Sequence, residues 1–287
     1  MTLTKQTNIL IIGLGVIGGG YAAALTQKGY KVKAITRSEK SIVYAKERGM
    51  ILDGTTSVEE ELLAWADLIV FAVYPTVFIK WLKEYQHLLK KGTLLTDVTG
   101  VKSSVVYKVQ DMLRPDLEFI SAHPMAGRES SGVEYSDPEV FKGANYIVTP
   151  TAKNTPEAIE TCKELGRELG FFRISELTPE KHDEMIAFVS QLTHCIAVCL
   201  MNANTADGLE KYTGDSFRDL TRIAKINDKM WSELFLMNKK ALLKEADAFI
   251  DEFKRFRDMI ETDDEEGLRE KMRASTQRRA LFDKPKQ

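Results

Sequence analysis

The chain is short of cysteine, histidine and net charge, and each shortage narrows what it can be. Three cysteines, Cys162, Cys195 and Cys199, form no CxxC pair and no metal-ligand spacing. An odd count of this kind argues against a disulfide framework and for a reducing compartment, and no metal centre is expected. Cys195 and Cys199 lie four apart in an apolar stretch, as two small hydrophobes on one helix face would. Lys and Arg total 40 against 42 Asp and Glu, a formal charge of -2. A balance so near zero does not suit a general nucleic-acid or membrane surface. No apolar run approaches the ~20 residues of a spanning helix. The short apolar run at 9–12 enters glycines without the cleavage pattern of a signal peptide. These absences predict a cytoplasmic protein with no nucleic-acid and no membrane partner.

What is present favours two domains: 287 residues, of which 44% are hydrophobic. Up to residue 150 short apolar runs alternate with amphipathic stretches. Strands are predicted at 8–12, 31–35, 67–73, 93–97, 118–122 and 145–149, with helices at 18–28, 40–48, 77–88 and 103–112 between them. Such alternation implies a parallel sheet covered on both faces, an α/β domain of Rossmann type. After Pro150 come a helix at 156–169 and a short strand at 171–174. Beyond Pro179 the pattern is almost all helix, at 180–206, 216–225, 228–261 and 264–280. Leu243, Ala246, Phe249, Ile250 and Phe253 form an apolar stripe that must be buried within the domain or against a second subunit. The predicted organisation is a dinucleotide-binding domain over residues 1–178 and an all-α domain over 179–287.

The first strand runs into Gly13-Leu14-Gly15-Val16-Ile17-Gly18. Gly13 permits a tight turn, Gly15 a close approach of backbone to pyrophosphate, and Gly18 close helix–strand packing. The opening helix then offers unpaired N–H groups to the phosphates. Strand, glycine turn and helix in this order make the motif a dinucleotide site, with Val73 and Tyr74 at the end of the third strand beside it. The second strand ends in Thr36-Arg37-Ser38, where NAD-specific folds usually carry an acidic residue. Without that carboxylate, Arg37 flanked by Thr36 and Ser38 can bind a 2′-phosphate, so NADP is expected over NAD.

The fifth strand leads into Ser121-Ala122-His123-Pro124-Met125-Ala126-Gly127-Arg128-Glu129-Ser130-Ser131-Gly132. A histidine at the carboxyl end of a parallel strand sits where such sheets bind ligands. His-Pro-Met-Ala-Gly-x-Glu-x-x-Gly after a Rossmann domain resembles the prephenate/arogenate dehydrogenase family of tyrosine biosynthesis. Thr96-Asp97-Val98 with Val101-Lys102, His182-Asp183, Val189-Ser190-x-Leu192-x-His194, and Phe217 to Ala224 followed by Met230-Trp231 agree in order. The resemblance spans residues 8 to 260.

The resemblance implies oxidative decarboxylation of a cyclohexadienyl substrate, prephenate or arogenate. Hydride passes to the nicotinamide, the ring hydroxyl proton to His123, and the ring carboxylate leaves as carbon dioxide. It makes Arg222 the partner of a substrate carboxylate and places His194 at the substrate side chain, with Gln191, Glu129, Thr99 and Ser103 as further candidate substrate-binding residues. It also implies a homodimer through the C-terminal helices. The chain departs from the pattern at Gly100, where the family often carries a serine that bonds the catalytic histidine; Thr99 and Ser103 are the nearest hydroxyls. Gln191 and Thr193 replace the first His and the Pro of the family's Ser-His-Leu-Pro-His segment. His194 favours prephenate, because a donor suits a keto acid, with arogenate the alternative. Two readings remain beside these: a hydroxyacid dehydrogenase or imine reductase using Lys181, His182 or Asp183, and a non-catalytic NADP sensor.

Overall fold

The computed structural model describes residues 2–127 and 130–283. A six-stranded parallel sheet is built from β1 (Asn8–Ile12), β2 (Lys31–Ile35), β3 (Asp53–Thr55), β4 (Leu68–Phe71), β5 (Leu94–Asp97) and β6 (Glu118–Phe119). Their spatial order is β3-β2-β1-β4-β5-β6. Helices α1 (Val16–Gln27), α2 (Glu39–Glu47), α3 (Glu60–Trp65), α4 (Pro75–Tyr85) and α5 (Ser103–Met112) make the crossovers. The expected α/β Rossmann architecture is therefore present. Strand β1 shows why: Ile9 and Ile11 enter one apolar core while Leu10 and Ile12 enter the other, so both faces are sealed. The strand order reverses between β1 and β4, and ligands in such sheets bind at that crevice.

The sequence suggested one strand at 118–122; the chain instead uses two. β6 closes the parallel sheet, Ile120 donates its N–H to Leu95 O at 3.0 Å, and β7 (Ser121–Pro124) turns into a second sheet. That sheet contains β7, β8 (Asn145–Thr149) and β9 (Arg173–Glu176) in this order, β7 antiparallel and β9 parallel to β8. Pro124 is tolerated because β7 is an edge strand. Helix α6 (Pro156–Leu169) lies between β8 and β9 in sequence and ends at Gly170 in the left-handed conformation, φ 88°. An unbroken apolar run could not reveal the change of sheet. β3 and α3 escaped the sequence reading because both are short.

The chain divides into two compact units, residues 1–238 and 239–287. The first unit continues with α7 (Pro179–Ile186), a π-helical turn (Ala187–Leu192) and α8 (Thr193–Ala203), which run on as one helix. By length and composition this helix, Pro179–Ala203, could cross a bilayer, against the expectation that no segment came near that. It holds buried His182, Asp183 and Gln191, so part of its surface is a polar internal one. Then come α9 (Asp215–Thr221), a 3-10 turn (Arg222–Ala224) and α10 (Asp228–Met237). The helix predicted over 228–261 breaks at Asn238 (φ -111°, ψ 27°), whose side chain is bonded internally. The second unit is α11 (Lys239–Glu261) and α12 (Glu265–Ala280) packed on each other.

Candidate active site

At the first crossover the sequence expectation has a geometric test. Gly13 has φ 101°, and a Cβ there would lie 2.5 Å from Ala72 O. A Cβ on Gly18 would lie 1.9 Å from Gly13 O. Both glycines are thus demanded by the backbone. A Cβ on Gly15 would meet nothing within 4 Å, so open space lies in front of the loop. Gly15 is also the N-cap of α1, and no side chain caps that helix nor does an acid stand in its first turn. Unpaired N–H groups facing open space at a positive helix end fit a pyrophosphate. The side chains of Leu14 and Val16 are buried and Ile17 is half-buried, so these residues serve through their backbone.

Val73 stands against Gly13, 2.7 Å from where its Cβ would be. Tyr74 caps α4, and its hydroxyl accepts from Asn227 Nδ2 at 3.0 Å. At the end of β2, Thr36 donates its N–H to Thr55 O at 3.1 Å, and Ser38 Oγ caps α2 through Ser41 N–H at 3.3 Å. Arg37 is exposed and has no ion pair among the described residues.

His123 lies on β7, paired in register with Ile147. Its Nδ1 stands 2.8 Å from His182 Nε2, and His182 Nδ1 stands 2.9 Å from Asp183 Oδ1. The Asp183 carboxylate also accepts the N–H groups of Lys102 and Ser103, each at 2.8 Å. Lys102 is the N-cap of α5 and has no side-chain cap of its own, so Asp183 performs that task from another helix. Asn238 Nδ2 donates to Asp183 O at 2.9 Å and to Gln191 Oε1 at 2.8 Å, and Gln191 Nε2 donates to Leu234 O at 3.0 Å. The π turn beneath Gln191 is the kind of helix irregularity that gathers at functional sites.

Beneath His123 lies a sealed ion pair. Lys102 Nζ donates to both oxygens of Asp97, at 3.2 and 3.1 Å, and to Ala122 O at 2.6 Å. Thr99 and Ser121 donate their hydroxyls to the same carboxylate. Thr99 is therefore engaged below the site and does not supply the hydroxyl missing at Gly100. Ser103 is likewise tied to Asp183, through its N–H.

Burial, reinforced by the unfavourable electrostatics of neighbouring His182 and Lys102, holds the His123 imidazole well below the usual histidine range. Burial also lowers His182, although the bond to Asp183 opposes it. For Asp183 burial acts upward, but hydrogen bonds from His182 and Ser103 prevail and the carboxyl lies below its ordinary range. Burial pushes Lys102 down against the opposing pull of Asp97.

His194 follows the π turn, and its Nδ1 donates to Ser190 O at 2.9 Å. Its ring stacks on Trp231 at 3.7 Å between centroids and 29° between planes. Arg222 is exposed on the 3-10 turn, which packs against α8, the helix of His194. Glu129 lies outside the described residues. His182 is bonded directly to His123, and Asp183, Asn238 and Lys102 support that pair; the sequence had singled out His182 and Asp183 in a matching segment and in the hydroxyacid dehydrogenase or imine reductase alternative, Lys102 in a matching segment, and Asn238 not at all. The signal available was two ionisable neighbours, His182-Asp183, on an apolar helix, together with a lysine five residues after an aspartate.

Comparison with known proteins gives the family. The family model described as prephenate dehydrogenase, nucleotide-binding domain matches residues 21–172, and that described as prephenate dehydrogenase, dimerization domain matches 178–274. Prephenate dehydrogenase of Bacillus subtilis is 31% identical over 276 residues, 93% of this chain and 74% of that protein. Cyclohexadienyl dehydrogenase of Zymomonas mobilis is 32% identical over 286 residues, 96% of each. The crystal structure of A. aeolicus prephenate dehydrogenase in complex with hydroxyphenyl propionate and NAD+ has a TM-score of 0.90 at 31% identity, covering 99% of this chain and 100% of that one. The chain belongs to the prephenate dehydrogenase family of dinucleotide-dependent oxidoreductases.

Proposed function

We propose that the protein oxidatively decarboxylates prephenate to 4-hydroxyphenylpyruvate in tyrosine biosynthesis. The observation that carries this is His123, held by His182 at the carboxyl ends of the strands. The dinucleotide, when bound at the Gly13–Gly18 loop, supplies the hydride acceptor. His123 takes the proton of the ring hydroxyl as the hydride leaves the same carbon. Its depressed basicity keeps it neutral, and so able to accept, at working pH. Arg222 pairs with a substrate carboxylate, for which its planar fork is suited. His194 serves the side-chain end, and Gln191 and Glu129 are further candidate substrate residues. Loss of the ring carboxylate as carbon dioxide completes an aromatic ring, so the residues' main work is positioning.

NADP is the preferred cofactor in this reading, because Arg37 is exposed and no acid follows β2 at positions 36–38. NAD, the dinucleotide held by the A. aeolicus enzyme, is the alternative. Residues 1–178 bind cofactor, and 179–287 bind substrate and form a homodimer. Leu243, Phe249, Ile250 and Phe253 on α11 are exposed, as a stripe awaiting a second subunit would be. The enzyme works in the cytoplasm.

Purified protein assayed with prephenate and with arogenate, each with NADP and NAD, tests the reading. The highest kcat/KM is expected with prephenate and NADP. Reduction of neither dinucleotide with either substrate overturns the function, and a clear NAD preference overturns the cofactor. His123→Asn is expected to lower kcat by about 10²–10⁴ with dinucleotide affinity unchanged. Unaltered turnover removes His123 as the base and leaves a binding protein.

A further inference from the structure

Position 100 is glycine, and among the described residues no side-chain hydroxyl bonds His123 at Nε2. A Cβ placed on Gly100 would lie 3.7 Å from His123 Nε2 and 3.7 Å from Leu234 Cδ1. Orientation therefore has to come through Nδ1, and there the bonding has one solution. Asp183 accepts two backbone N–H groups, and its carboxyl lies below the ordinary range. An ionised carboxylate only accepts, so His182 Nδ1, 2.9 Å away, carries its proton and donates. A neutral imidazole has a single N–H. His182 Nε2 is consequently bare, and across 2.8 Å His123 Nδ1 must be the donor. Nε2 of His123 is left carrying the lone pair, on the side of Gly100.

We propose that Asp183 and His182 are positioning residues that lock His123 in its Nδ1-protonated tautomer and so present Nε2 to the substrate hydroxyl. The proposal rests on His123 being the base. As that base takes a proton, the lone pair of His182 Nε2 receives the Nδ1–H bond of an imidazolium, and the Asp183 charge stabilises it through one intervening ring. The arrangement extends the logic of a carboxylate that sets a catalytic histidine's tautomer, with a second histidine as spacer. Its ends are anchored. Asp183 is fastened to the first turn of α5 and to Asn238, and His123 is fastened to the sheet beside Lys102.

The test is nitrogen NMR on protein labelled with [15N]histidine, which carries only four histidines, His87, His123, His182 and His194. Single His→Gln variants assign the signals. Near neutral pH both His123 and His182 are expected to be protonated at Nδ1. Protonation of His123 at Nε2 overturns the proposal. In Asp183→Asn the amide can donate to His182 Nδ1, which reverses both tautomers. Its kcat is expected to fall by about 10²–10⁴ while KM and dinucleotide affinity hold, and a kcat close to that of the unaltered enzyme overturns the proposal. Asp183 also caps α5, so if this variant does not fold, the spectrum of the unaltered protein decides alone. Retained turnover in His123→Asn would instead remove the base reading, while the tautomer measurement stands apart from it.

Discussion

The two ends of the candidate site are made of different material. The proposed dinucleotide end is backbone and space: Gly13 and Gly18 tolerate no Cβ, Gly15 faces open room, and the N–H groups of α1 are what it offers a ligand. The substrate end is side chain: a buried chain from His123 through His182 to Asp183, above a Lys102–Asp97 pair with no exposure. The first end needs little beyond local geometry. The second needs several elements to arrive together, because each buried charge is costly until its partners are in place. Damage to the first should therefore be chiefly a loss of binding, and damage to the second chiefly a loss of the assembled fold or of the chemical step.

The largest effect is expected at the buried pair. Lys102→Met leaves Asp97 charged and uncompensated, and releases Ala122 O just before His123. Breaking such a pair typically costs about 3–5 kcal/mol. Chemical denaturation should show a loss of that size, with turnover falling as β7 loses its anchor. A change below about 1 kcal/mol would mean that the cluster is wetter than the structure indicates, and that the contrast between the two ends is overstated.

The glycine loop allows the contrast to be made within one motif. In Gly18→Ala the new Cβ would meet Gly13 O at 1.9 Å, so α1 has to shift away from the sheet. Overpacking of this kind costs about 1–3 kcal/mol, and both stability and dinucleotide affinity should drop. In Gly15→Ala nothing is struck, and melting temperature should hold. Dinucleotide affinity should still fall about tenfold, because the methyl occupies the pyrophosphate's line of approach. Calorimetric titration alongside thermal melts separates the two. Unweakened binding in Gly15→Ala would place the pyrophosphate elsewhere.

The same difference explains what the sequence disclosed. β1, β2, α5 and α6 fall where periodicity put them, and the dinucleotide loop was legible because its constraints act between near neighbours. The break at Asn238 was hidden because residues 228–261 keep a helical apolar period straight through it. The change of sheet at Ile120 was hidden for a related reason: residues buried on both sides look alike in either sheet. His123 was conspicuous through its loop, yet its partner stands 59 residues away on an apolar helix. Nothing local requires that they meet. That same helix passed as unremarkable although it is apolar enough to span a bilayer, because Ser190, Gln191, Thr193 and His194 interrupt its hydrophobic run.

The smallest effect, and the one that bears most directly on how the substrate end works, is expected at Gly100. The glycine has no positive φ, and a Cβ there meets His123 and Leu234 only at ordinary contact distance, so Gly100→Ser should fold normally. Its hydroxyl would lie within reach of His123 Nε2. If orientation already comes through Nδ1, a second anchor adds little and competes with the substrate hydroxyl for the same lone pair. The expected result is a kcat within about threefold of the unaltered enzyme, with any change in KM upward, since one hydrogen bond is worth about 0.5–1.5 kcal/mol. A rise in kcat of tenfold or more would show that His123 had been loosely held, and that the chain through His182 to Asp183 is a structural brace for α5 and not the device that aims the base.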